Sequence, residues 1–233
     1  MAGPITMTHD PAPAAAAAEQ PRPPAWTRLQ LEHRLIAAAG EGNRVGQVDN
    51  GAAAYLLGVS TRTLRRWLHG DPDQVVGMSA KSRAAVWAAL RPTEKRLEQE
   101  QLDRKYAIEA VHQLALPKRR RRIPPAWIEQ QWLDPHLVAV LDLPYAQAHQ
   151  IAFARMEGRP LSRLKNRGKM LDFRVVPTRF HATLLVGAVL EVVDPWRVVL
   201  ARQWTKQGPG QGWMAAEAPQ VSLDELAVTN DLP

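Results

Sequence analysis

The sequence predicts a mainly α-helical N-terminal domain, a long connecting helix, and a smaller α+β C-terminal domain with a β-hairpin or small sheet. Three observations predict it. Apolar residues recur at helical spacing, punctuated by capping residues, between positions 27 and 116. A block of cations bounded by prolines interrupts the chain at 118–125. Runs rich in Val and Leu follow Phe173. With 233 residues, 45% hydrophobic and 23% charged, the chain can bury one or two cores.

Taken in order, residues 1–24 are rich in Pro and Ala around the run 14–18 and offer little to bury, so they read as a disordered leader. Residues 25–92 read as a compact helical domain. Leu29, Leu31, Leu35 and Ile36, interleaved with Arg28, Glu32 and Arg34, give an amphipathic helix stopped near Gly40. Asp49 or Asn50 caps a second helix over 52–57, a third begins at Ser60, and a fourth follows Ser79 over 80–90.

The stretch 93–117 is the longest helix, with an imperfect apolar stripe of Leu97, Leu102, Tyr106, Ala110, Val111 and Leu114; it is expected to bridge two halves or pair with another copy. Residues 118–125 form a basic linker and mark the domain boundary. Within 126–206, residues 127–133 and 145–156 look helical, and 136–142 is ambiguous between helix and strand. Residues 182–193 and 196–204, joined by Asp194-Pro195, read as strands. After Lys206 there is no Lys or Arg, and 207–233 reads as a flexible acidic tail broken by Gly208-Pro209-Gly210-Gln211-Gly212.

A formal net charge of +7 favours polyanionic partners, because positive potential raises encounter rates with phosphate backbones. The absence of cysteine excludes disulfides, thiolate metal sites and cysteine nucleophiles, and it fits a reducing compartment. The first residues lack the charged and apolar regions of a signal peptide, and no apolar run is long enough to span a bilayer. A cytoplasmic, nucleoid-associated protein without a membrane partner is expected.

The segment from Ala54 to Leu68 carries the functional argument, since each position has a steric reason. Ala54 is small where two helices cross, and Leu57 closes the first helix. Gly58 supplies a turn with positive φ, Val59 plugs the gap, and Ser60 caps the next helix through its side-chain oxygen. Leu64 faces inward with Trp67 or Leu68. That leaves Thr61, Arg62, Thr63, Arg65, Arg66 and His69 as candidates for an exposed side. An arginine fork can meet guanine O6 and N7 together, and Ser or Thr near the helix start can hold phosphate.

This stretch resembles the helix-turn-helix DNA-binding superfamily. The run Gly58-Val59-Ser60-Thr61-Arg62-Thr63-Leu64-Arg65-Arg66-Trp67 is similar to the opening of mercury-resistance (MerR-like) regulators. The resemblance covers only the helix-turn-helix. It implies a double-stranded DNA partner read in the major groove by helix 60–68, and a homodimer reading two half-sites.

The order of parts, with Leu143-Pro144-Tyr145-Ala146 after a charged helical stretch, is also remotely similar to terminal proteins of linear actinobacterial replicons. A replication, partition or DNA-end protein is therefore the alternative to a transcriptional regulator. The non-catalytic part of a transposase or recombinase is a further alternative.

Other features extend the expected footprint. Lys118, Arg119, Arg120, Arg121 and Arg122 are expected to reach a minor groove or track phosphates as a flexible arm. A second basic stretch, Arg155 to Arg174, is opposed only by Glu157 and Asp172. It reads equally as a charged surface or a phosphate contact. The histidines are scattered without metal spacing, and no phosphate-cradling glycine loop or nucleophile elbow is present. The carboxylates Asp134, Asp142, Asp172, Glu191 and Asp194 form no recognisable arrangement. No catalytic residue, cofactor or metal is assigned, and enzyme activity is not expected.

Overall fold

The computed structural model describes residues 25–201 and 211–233. The expected disordered leader, and Trp204 with the first part of the Gly-Pro-Gly break, lie outside them.

Four helices form the first layer: α1 (Arg28–Ala39), α2 (Asn50–Leu57), α3 (Thr61–Trp67) and α4 (Ala80–Leu90). Each starts where a short polar side chain can satisfy amides that have no partner within the helix. Thr27 and Gln30 close a reciprocal capping box on α1. Asp49 accepts from the amides of Gly51 and Ala52 (2.9 Å each), and Ser60 and Ser79 cap α3 and α4. The bundle core is Leu31, Leu35, Ile36, Ala53, Leu64, Val86, Leu90 and three tryptophans, Trp26, Trp67 and Trp87.

The long helix α5 (Glu94–Ala115) follows the bundle and lies along α8 (Arg179–Val192). Only part of the expected stripe is buried. Ala107 and Ala110 pack inward with Val111 and Leu114, whereas Leu102 is 61% exposed. The buried face runs Ala107, Ala110, Val111, Leu114, a spacing that turns Leu102 to solvent.

A short helix, α6 (Pro125–Glu129), replaces the expected helix 127–133, whose remainder is turn. Trp127 of α6 donates its indole N–H to the Tyr106 hydroxyl (2.7 Å) and packs on Phe180 of α8. One aromatic cluster therefore lies on both sides of the expected linker.

The sheet holds β1 (His136–Leu143), β2 (Ala148–Arg155), β3 (Lys169–Val176) and β4 (Gln211–Ala215), all antiparallel, in the order β3-β1-β2-β4. The ambiguous segment 136–142 is thus a strand, and the small sheet is present. Helix α7 (Arg159–Lys165) connects β2 to β3.

Three expectations are overturned by tertiary packing. Residues 145–156 are not helical: a 3₁₀ turn at Pro144–Ala146 leads into β2, whose alanines 148, 152 and 154 and Ile151 are buried on opposite faces of the sheet. The run 182–193 is helix, not strand. Thr178 caps it, and Ala182, Leu185, Val186, Val189 and Leu190 recur at helical spacing against the sheet. Of the expected strand 196–204, the described residues 196–201 have a 3₁₀ turn at Asp194–Trp196 and then a single bridge, Arg197 to Met214.

The acidic segment expected to be loose is packed where it is described. β4 pairs with β2, and α9 (Leu223–Thr229) buries Leu223 and Ala227 completely. Glu217 and Asp224 pair with Arg34 and Arg174.

Both sheet faces are covered, with α8 and α9 on one side and α1 and α7 on the other. Helix α1 belongs to two cores at once: Leu31, Leu35 and Ile36 face the bundle, while Ala37 faces the sheet. The amide of Ala201 donates to Ala37 O (2.8 Å), that of Val199 to Leu90 O (3.0 Å), and Arg34 Nη2 meets Glu217 Oε1 at 2.9 Å. Burial holds the Arg34 guanidinium below its usual pKa range, with Glu217 acting in the opposite direction. Bundle and sheet are thereby clamped together. Among the described residues no helix is long and apolar enough to cross a membrane.

Candidate nucleic-acid interface

The turn between α2 and α3 is Gly58, Val59 and Ser60. Gly58 sits at φ 62°, ψ 32°, and an added Cβ would touch nothing, so it is the backbone angle that calls for glycine. The amide of Val59 donates to Ala54 O (3.0 Å), folding the chain tightly over Ala54, which is 4% exposed. The Ser60 hydroxyl accepts from the Thr63 amide (3.1 Å) and shares a hydrogen bond with the Thr63 hydroxyl (2.9 Å). Ser60 is thus occupied as a cap, and Thr63 is half-buried beside it.

Leu64 and Trp67 anchor α3 in the bundle, and Leu68 is half-buried. The opposite side carries Thr61, Arg62, Arg65, Arg66 and His69, all exposed. None of these arginines forms an ion pair among the described residues, where most other arginines that pack near a carboxylate do. Their guanidinium groups are therefore free to meet an external acceptor.

Two residues that the sequence did not single out lie on the helices that precede α3. Arg28 of α1 donates to Leu68 O (3.2 Å) and pairs with Glu32, so it fixes the C-terminal end of α3 from a distant point in the chain. No sequence signal marks a contact across that separation. Tyr55 stands 91% exposed on α2, with the helical spacing that turns Ala54 inward leaving it in solvent.

The cationic block begins in a turn at the end of α5. The amides of Arg120 and Arg121 donate to Pro117 O, and the Arg121 guanidinium bonds Leu116 O at the end of α5 (3.1 Å). A cation at a helix C-terminus also meets the negative end of the helix dipole. Gln113 reaches Arg122 O (2.9 Å). Lys118, Arg119, Arg120 and Arg122 remain exposed and unpaired.

A cleft of about 350 Å³ lies between α5 and α8, floored by Val186, Gly187 and Leu190. Its charges satisfy one another: Arg96 and Arg197 share Glu100, and Arg104 meets Glu191. Among the described residues no group of His, Asp and Glu is placed to hold a metal ion. Comparison with protein-family models, with curated proteins and with solved structures finds no match.

Proposed function

We propose that this is a sequence-specific double-stranded DNA-binding protein, acting as a transcriptional regulator and reading the major groove with α3. The observation that carries the reading is the exposed, unpaired set Arg62, Arg65 and Arg66 on a helix whose other side is locked by Leu64 and Trp67. A rigid helix holds an arginine fork in register with base edges, which a mobile chain does not. The Thr61 hydroxyl and His69 flank the fork and would bond phosphate oxygens, while Lys118, Arg119, Arg120 and Arg122 would add sequence-independent affinity. A homodimer would present two copies of α3 to two half-sites.

The test is to sequence the DNA fragments that the purified full chain retains at low and at moderate salt. A shared motif that survives the higher salt supports the reading; uniform loss across all sequences overturns it in favour of non-specific coating. Arg65→Ala should relax discrimination at one base position by about 1–3 kcal/mol.

A further inference from the structure

The face of the sheet that α1 and α7 cover is left open at its β3 edge. Phe173 and Val175 stand opposite Ala139 and Leu137 of β1, whose side chains are buried on that face. Yet Phe173 is 58% exposed and Val175 46%. Leu171, the extra residue where the β1–β3 register shifts, is 45% exposed. An eight-residue edge strand with three outward apolar side chains is an unusual surface to leave to water.

Its edge is not open to strand pairing at the centre, because the Phe173 amide donates to the carboxylate of Asp172 (2.8 Å). Asp172 is itself held by the amide of Leu223 (2.8 Å). The side chains, not the backbone, are what this strand offers.

Charge sets the partner. Arg155 and Arg174 are paired with Asp134 and Asp224. Between them Arg159, Arg163, Lys165, Arg167 and Lys169 have no carboxylate partner among the described residues. These five run through α7 and its turn directly into β3. Leu161 and Leu164 of α7 and Met170 of β3 pack on the same core, so the α7 cations Arg159, Arg163 and Lys165 lie on the side of the sheet that carries Phe173 and Val175, whereas Lys169, cross-strand from Asp142, lies on the other. A second copy would bring these cations against their own like charges. A polyanion with planar apolar groups satisfies both halves of the surface.

We propose that the α7–β3 face binds single-stranded nucleic acid, with phosphates on the α7 cations and a base stacked on Phe173. Duplex DNA keeps its base faces stacked inside and offers nothing to that ring. The inference does not depend on the reading of α3, and the two are measured separately.

The experiment is fluorescence anisotropy of the full chain with a labelled oligothymidylate and, in parallel, a labelled duplex of the retained DNA. Phe173→Ala should weaken oligothymidylate binding by about five- to a hundredfold and leave duplex binding intact. Phe173→Tyr, which keeps the ring, should restore it. Arg163→Ala with Lys165→Ala should lower the slope of log affinity against log salt by about 1.4, as expected for two released phosphate contacts.

Failure of the wild-type chain to bind oligothymidylate overturns the proposal. So does a loss confined to the charge variant, which would make the contact electrostatic alone. A dimer in light scattering that Phe173→Ala converts to monomer would assign the face to a second copy instead. Duplex binding that survives all of this, and falls with Arg65→Ala, leaves the α3 reading standing on its own.

Discussion

The α3 surface and the α7–β3 surface are both rich in unpaired cations, and they differ in what lies beside the charge. On α3 every large apolar side chain is turned into the bundle, so the arginines stand among Thr61 and His69 on a polar helix face. On α7–β3 the cations of α7 lie on the side of the sheet whose β3 edge leaves Phe173 and Val175 open. Elsewhere the arginines Arg34, Arg91, Arg104, Arg174 and Arg197 are each matched by a carboxylate. Charge left unmatched next to polar groups suits base edges and phosphates in fixed register. Charge left unmatched next to exposed apolar groups suits a flexible strand with accessible ring faces.

The contrast can be broken from either side. Leu64, with no exposed surface, roots α3 in the bundle, and Leu64→Ala should cost about 2–5 kcal/mol in denaturant unfolding. Duplex affinity should fall while oligothymidylate binding persists; joint loss would show that the two surfaces fold as one unit. The converse is Gly168→Ala. Its added Cβ would collide with the carbonyl oxygen of Asp142, a backbone atom that cannot swing aside, so about 3 kcal/mol should be lost. Binding should now fail at α7–β3 first.

Arg34→Met strips Glu217 of its buried partner at the clamp between bundle and sheet. A loss of about 3–5 kcal/mol is expected, because both carboxylate oxygens of Glu217 are buried and would be left as an unpaired charge. A single unfolding transition that splits into two would identify this clamp as the coupling between the surfaces. Ser60→Ala removes the cap of α3 alone and should cost about 1 kcal/mol, with duplex affinity more affected than oligothymidylate affinity.

The smallest effect is that of pH. His136, His149 and His181 all have pKa values depressed by burial. The unfolded chain therefore binds protons more readily than the folded one as pH drops below about 6.5. Stability should be flat above that value and decline below it, and His136→Gln should shallow the decline, read as the urea midpoint between pH 7 and pH 5.

The first half of the chain was far more legible than the second. Thr27, Asp49, Ser60, Ser79 and Thr93 each cap the helix expected after them, because a cap and the apolar spacing behind it act within one or two turns. In the second half the same local signals competed with packing. The Ala-rich segment 148–155 has the composition of a helix and becomes a strand between two covered faces. The Val- and Leu-rich segment 182–192 has the composition of a strand and becomes a helix. There the spacing of Ala182, Leu185, Val186 and Val189 carried the better signal, and residue type misled.

By itself the sequence determined α3: the glycine turn, the serine cap, the inward Leu64 and the outward arginines are set by contacts a few residues apart. Which cations are free was decided only by the tertiary structure. Glu217 and Asp224 lie in a segment that reads as a loose acidic tail, yet they meet Arg34 and Arg174 from far along the chain. The apolar row of β3 was likewise settled by the sheet, since alternation marks a strand but not whether a neighbouring helix will cover its face.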